Sequence, residues 1–272
     1  MKGPSAPRCP RGCALAEAEC AGPIGPAALA RFAGRCAAEG PRLALESTLL
    51  ELDRQAAGRW MMLLREGRAA FLPLLTPGGT ALLIGNAGSG AALALLRAGY
   101  RLLLADRCRL RAEAALAYLR ALLGSAAPVA AVSFDGERLP LFDRSIDLIV
   151  RESPAPPLGL EGGPSLAELA RVARRALLIA AENRLAYKRS SGQRADFRLL
   201  SPRELLARLA RPSAGEASLR GHLSRLRSAR FDPERRFALY PDSHGWSHLL
   251  ALDGPRPRLT VGPMERKNRL KL

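Results

Sequence analysis

Three glycines stand in the stretch "LLIGNAGSGAALALLR": Gly85, Gly88 and Gly90, spaced G-x-x-G-x-G. An apolar run precedes them and a helical pattern follows, and the carboxylate of Asp106 stands sixteen residues beyond the last glycine. Glycines after a strand let the backbone approach a ligand, and the helix that follows presents unpaired N–H groups to it. A nucleotide-like cofactor suits such a turn. The spacing departs from the dinucleotide fingerprint G-x-G-x-x-G, and a dehydrogenase is accordingly a distant reading.

Other residues of chemical interest lie further along. Glu182, Asn183 and Tyr187 in "ENRLAYKR" are placed to bind or deprotonate an acceptor. His244 and His248 sit four apart in "HGWSH", a spacing that suits zinc on a helix; the segment reads as a hairpin, so no metal is expected and His244 is kept as a candidate base. Cys9, Cys13, Cys20 and Cys36 follow one another as C-x3-C-x6-C-x15-C, with only one close pair where a structural zinc site uses two. They are read as reduced, unconnected thiols, and Cys108 as a packing or rim residue. No G-x4-G-K-[ST] loop, G-x-S-x-G elbow or aromatic-rich nucleic-acid module occurs.

The elements that must position these residues alternate. A helix is expected over 46–66, then a strand over Thr80–Ile84, a helix over Gly90–Arg97 and a strand from Arg101 to Ala105. The helix "RLRAEAALAYLRALLG" follows, then the strands "VAAVSFD" and "SIDLIVRE". Ser165 and Glu168 form a capping box that opens "SLAELARVARR", and "ALLIAAEN" is the next strand. Such alternation indicates a parallel sheet covered on both faces. Helices "SPRELLARLA" and "SLRGHLSRLRSARF" come next, and "RRFALY" and "SHLLALD" read as a hairpin.

With its motifs in this order, the chain resembles the class I S-adenosylmethionine-dependent methyltransferases over roughly residues 78–253. "LIGNAGSG" is similar to that family's glycine motif, "SFDGERLPLFDRSIDLIV" to its adenine-side stretch and fourth strand, and "LAELARVARRALLIAAEN" to its following helix and fifth strand. The resemblance implies a doubly wound, mostly parallel, seven-stranded α/β sheet ending in an antiparallel hairpin, with S-adenosylmethionine as cofactor. It assigns cofactor binding to Gly85, Asn86, Gly88, Gly90, Asp106, Arg107, Phe134, Asp135 and Arg151. Asp106 would accept from the ribose hydroxyls and Asp135 from the adenine amino group, with Phe134 and Leu139 flanking the base. Asp147 would be a structural acid. Glu182, Asn183 and His244 would face the acceptor. The chain departs from the pattern in three places: Ile84 replaces the acid at the end of the first strand, Asn86 takes the first glycine position, and Ala173–Ala176 replaces a K-P-G-G turn.

Composition sets the outer limits. Apolar residues make up 48% of the 272 and come in periodic blocks, as in a globular chain, and no apolar run is long enough to span a bilayer. With no secretory leader, a cytoplasmic, bacterial-type enzyme is expected. The net charge is +17, from 42 basic and 25 acidic residues; four of the basic residues are lysine and the remaining 38 arginine, a bias that a GC-rich genome produces. Residues 184–272 hold 20 basic and 8 acidic residues, so +12 of the charge lies there, and an anionic partner would meet that third of the chain. The expected organisation is a Cys/Pro/Gly-rich, poorly ordered lead-in (1–40), a Rossmann-like domain (41–253) and a basic tail (254–272). The expected activity is methyl transfer to a small-molecule or glycan-type acceptor. An RNA acceptor, or a non-catalytic methyltransferase-like binding protein, is the alternative.

Overall fold

A computed structural model describes residues 25–52, 57, 77–85, 90–134, 137–152, 164–180, 219–231, 237–240 and 248–251. They fall into two compact units, one ending at Ala180 and the other beginning after it.

The first unit is built on five parallel strands: β1 (Thr80–Ile84), β2 (Arg101–Asp106), β3 (Val129–Ser133), β4 (Ile146–Glu152) and β5 (Ala173–Ala180). Their order in the sheet is β3-β2-β1-β4-β5. The chain runs outward from β1 to β3, then returns past β1 to lay down β4 and β5. The order therefore reverses between β1 and β4, which makes the carboxyl edge there the usual ligand-binding crevice of a doubly wound sheet. The architecture is Rossmann-like. Continuous apolar runs such as "ALLI" and "LLLA" suit strands buried on both faces; Ala81, Leu82, Leu83, Leu104, Ile149 and Val150 are fully buried.

Helix α3 (Gly90–Arg97) follows β1, and α4 (Arg109–Leu123) follows β2. Small residues let both approach closely: Ala91, Ala92 and Leu95 of α3 are fully buried. Helix α4 is packed on two sides. Ala115 and Leu119 join the core formed with the sheet, while Ala114 joins a second cluster with Leu29, Phe32 and Cys36. The latter residues belong to α1 (Pro26–Ala38), which is followed by α2 (Pro41–Glu51). Phe32 stacks on Tyr118 of α4 at 5.8 Å between ring centroids. Residues 26–38, assigned to a poorly ordered lead-in on their Pro and Gly content, thus form a helix with its own apolar face. Proline at the first position of α1 and α2 starts a helix rather than breaking one, because the missing N–H has no partner there.

Asp147 ties the amino ends of the strands together. Its Oδ2 accepts from the Thr80 N–H at 2.9 Å, and Arg174 of β5 lies 3.6 Å from Oδ1. A side chain at Gly79 would put its Cβ 2.6 Å from Asp147 Oδ2, and Gly79 has φ +94°. Only glycine meets both demands. Helix α5 (Leu166–Val172) is capped by Ser165, whose Oγ accepts from the Glu168 N–H at 3.1 Å. It passes directly into β5 at Ala173, with no intervening turn. The register of β5 on β4 shifts by one residue between Ile146 and Leu148, a bulge that takes up the change from helix to strand.

In the second unit, α6 (Leu219–Ser228) and strands β6 (Phe237–Tyr240) and β7 (His248–Ala251) are described. Strands β6 and β7 pair antiparallel in a separate two-stranded sheet. The described strands are thus five in the parallel sheet and two in the antiparallel pair, where the expectation was seven strands ending in an antiparallel hairpin. The expected helix "SPRELLARLA" lies outside the described residues.

Candidate functional site

The reversal point places four of the expected residues near one sheet edge. Gly85 ends β1 with φ +72°, a left-handed conformation that strongly favours glycine, and its N–H donates to Ala105 O at 3.0 Å. Ile84 and Arg151 are register partners on β1 and β4, as are Ile84 and Ala105 on β1 and β2. Asp106 ends β2, and Gly90 opens α3. Ile84 is buried in the apolar core, so the first strand ends without a carboxylate.

Asp106 is the most constrained of these residues. Its side chain is 1% exposed. Oδ1 accepts from the Cys108 N–H at 2.8 Å, closing a turn that starts α4. Arg111, in the first turn of that helix, forks onto the same carboxylate: Nη2 reaches Oδ1 at 2.7 Å, and Nε reaches Oδ1 at 3.2 Å and Oδ2 at 3.1 Å. The carboxylate thus closes an internal ion pair at the amino end of a helix, where negative charge is favoured. Among the described residues Oδ2 accepts from one donor, Arg111 Nε, and so has a lone pair to spare. Arg111 escaped the sequence reading. It stands five residues after Asp106, beyond the i+3 and i+4 spacings that bring helical side chains together, and becomes a neighbour only because the strand turns directly into α4.

The other expected residues divide. Phe134 is buried, and Leu139 is 1% exposed. Leu139, expected to flank a base, also anchors the loop before β4. Its N–H donates to Glu168 Oε1 at 2.8 Å. Arg171 then gathers that loop. It donates to Leu139 O (3.1 Å), Leu141 O (2.8 Å) and Asp143 Oδ1 (2.6 Å), and it holds both oxygens of Glu168 at 2.6 and 2.8 Å. The Arg171 guanidinium holds the Glu168 carboxyl below its ordinary range, and the two carboxylates raise Arg171 in turn. This i,i+3 pair was visible in the sequence, where Glu168 was read only as half of the capping box.

Arg151, at the end of β4, is half-buried, and its Nη1 donates to Pro164 O at 3.2 Å. Burial lowers its pKa from the ordinary guanidinium value. Arg107 is half-buried beside Asp106. Cys108, read as a packing or rim residue, is fully buried and disulfide-bonded. Cys36 is free and buried, and burial pushes its thiol up to about 11. Asn86, Gly88, Asp135, Glu182, Asn183, Tyr187 and His244 lie outside the described residues. Among the described residues no group of three or more metal-ligating side chains gathers, and no helix is long and apolar enough to cross a membrane.

No family model and no curated protein matches the chain. Among solved structures, a SAM-dependent methyltransferase from Aquifex aeolicus aligns at 18% identity over 65% of this chain and 83% of its own, with a TM-score of 0.41. A SAM-dependent methyltransferase of Thermotoga maritima, described as a possible histamine N-methyltransferase, aligns at 16% identity over 73% and 89%, also at 0.41. One from Methanococcus maripaludis, described as putative, aligns at 12% identity over 82% and 95%, at 0.40. These are distant likenesses.

Proposed function

We propose that the chain is a methyltransferase that binds S-adenosylmethionine at the carboxyl edge beside β1 and β2 and methylates a small-molecule or glycan-type acceptor. One observation carries the reading: at the point where the strand order reverses, a left-handed glycine, Gly85, ends β1 while a carboxylate, Asp106, ends the neighbouring β2. Backbone without a side chain admits a ligand closely, and the spare lone pair on Asp106 Oδ2 suits a ribose hydroxyl once the Arg111 fork yields. Gly88 and Gly90 would extend the bare backbone, Asp135 would take the adenine amino group, and Arg107 and Arg151 would border the site.

The cofactor supplies a methyl group on a sulfonium whose positive charge is lost on transfer. The protein's part is orientation, which removes much of the entropic barrier to a bimolecular step. Glu182, Asn183 and His244 are proposed to hold the acceptor and take its proton where it carries one. Two observations favour a second reading, a binding protein without turnover: Ile84 puts no acid at the end of β1, and Asp106 already has an internal partner.

Calorimetric titration with S-adenosylhomocysteine tests the proposal. Saturable binding is expected. Asp106→Asn should weaken it by about 1.5–3 kcal/mol, the scale of hydrogen bonds to a charged group. Arg111→Met should strengthen it, because the fork competes for the same oxygens. Absence of binding by the folded wild-type chain overturns the proposal, equal affinity in Asp106→Asn removes Asp106 from the site, and binding without methyl transfer to any acceptor pool selects the second reading.

A further inference from the structure

Helix α6 and its end, residues 219–231, carry Arg220, Arg225, Arg227 and Arg230 and no acidic residue. All four arginines are exposed, and none has an ion-pair partner among the described residues. Several arginines of the first unit are tied to carboxylates, as Arg31 and Arg35 are to Glu51 and Arg109 is to Glu113. The helix is also two-sided. Leu223, Leu226, Ala229 and Phe231 are half-buried, whereas Arg220, Ser224, Arg227 and Ser228 follow one another at i, i+4, i+7 and i+8 on a single ridge. Together with Leu223, these four line an open cleft of about 460 Å³.

The helix end is built to keep a charge in place. Arg230 has φ +64°, and the Phe231 and Arg230 N–H groups donate to Leu226 O at 3.0 Å and Arg227 O at 2.9 Å. That is the Schellman arrangement, in which glycine normally takes the left-handed position because a side chain there is strained. Here an arginine occupies it, next to the negative end of the helix dipole.

The geometry points to α6 as a docking ridge for the phosphate backbone of a nucleic-acid strand. Arg225 stands about 140° round the helix from Arg220, so three arginines, Arg220, Arg227 and Arg230, share the ridge side over a rise of about 15 Å, and a strand laid along it would meet them with about three phosphates. Arginine forks onto phosphate oxygens, and the serine hydroxyls between them are donors of the kind that contact a backbone without reading sequence. A lipid surface fits less well, because the apolar side of the helix is already half-covered and is not free to insert. This ridge is independent of the cofactor site proposed above.

The test is the affinity of the full chain for a fluorescent 20-nucleotide single-stranded RNA, measured between 50 and 200 mM salt. Three single-strand contacts contribute about −2.1 to the slope of log affinity on log salt, hence roughly a 20-fold loss over that range. The variant Arg220→Gln/Arg227→Gln/Arg230→Gly should lower the slope by about 2. Glycine at 230 suits the backbone there, so the variant keeps the helix end, and circular dichroism verifies it. A control of equal charge change, Arg31→Gln/Arg42→Gln/Arg109→Gln, should leave the slope unchanged. Three results would overturn the proposal: no salt-dependent RNA binding, equal slopes in the two triple variants, or arginine-dependent binding to phosphatidylserine vesicles in place of RNA.

Discussion

Replacing Arg171 by Met removes one guanidinium that holds three parts of the first unit together, while keeping most of its aliphatic stem. Two of its acceptors are the carbonyls of Leu139 and Leu141, worth about 1 kcal/mol each as ordinary hydrogen bonds. The fork onto Glu168, whose side chain is 11% exposed, is charge-assisted and contributes about 1.5–3 kcal/mol. Asp143 is 75% exposed, and its bridge adds at most about 1 kcal/mol. Arg171 is itself 24% exposed, and contacts of one group are not additive, so a loss of about 2–4 kcal/mol is expected. That corresponds to roughly 5–12 °C in the melting temperature of a body of this size. Urea unfolding followed by circular dichroism measures it.

The pH dependence supplies a second check on the same variant. Arg171 lowers the Glu168 carboxyl below its ordinary value of 4.5, so this contribution is fully present above about that pH and is lost as pH falls through the depressed value. The stability gap between wild type and variant should therefore be flat near neutrality and narrow in acid. A loss under about 1 kcal/mol, or a gap that stays constant down to pH ~3, would refute the claim that Arg171 organises the loop before β4.

Two further predictions concern the frame and a thiol. Gly79→Ala should cost about 1–3 kcal/mol, because alanine is strained at φ +94° and its Cβ would meet the Asp147 carboxylate; an unchanged melting temperature would contradict that geometry. Cys36, with its thiol raised to about 11, should resist iodoacetamide at pH 8 in the native chain and react once unfolded, as peptide mapping would show. Equal alkylation in both states would place it outside the core.

The sheet was legible because its strands are read by pattern alone. Runs such as "ALLI" in "TALLI" and "LIV" in "IDLIVRE" are too apolar to sit anywhere but between two layers, and the boundaries of both strands fall within a residue of the expected ones. Asp106 at the end of β2 was found by its position in the order of motifs. What it touches was not legible, because Arg111 reaches it through the turn that starts α4, and sequence spacing does not encode that turn's geometry. The backbone tie of Leu139 to Glu168 and Arg171 was not legible for a related reason: the loop residue and the helix stand about thirty residues apart in sequence. Residues 26–38 were misjudged on composition, since proline and glycine frequency hides the spacing of Leu29, Phe32 and Cys36, which pack on α4.

The direct passage from Val172 in α5 to Ala173 in β5 has a consequence for what this chain tolerates. Most helix–strand junctions include a few linker residues that absorb an insertion or deletion; this one has none, and the single bulge opposite Ile146 already accommodates the geometry. Adding or removing one residue there would turn the inward side chains of an outer strand toward water and bring Arg174 or Arg175 to the core face. Length variation should be confined to other connections, and the spacing between Ser165 and Ile179 should behave as a fixed ruler.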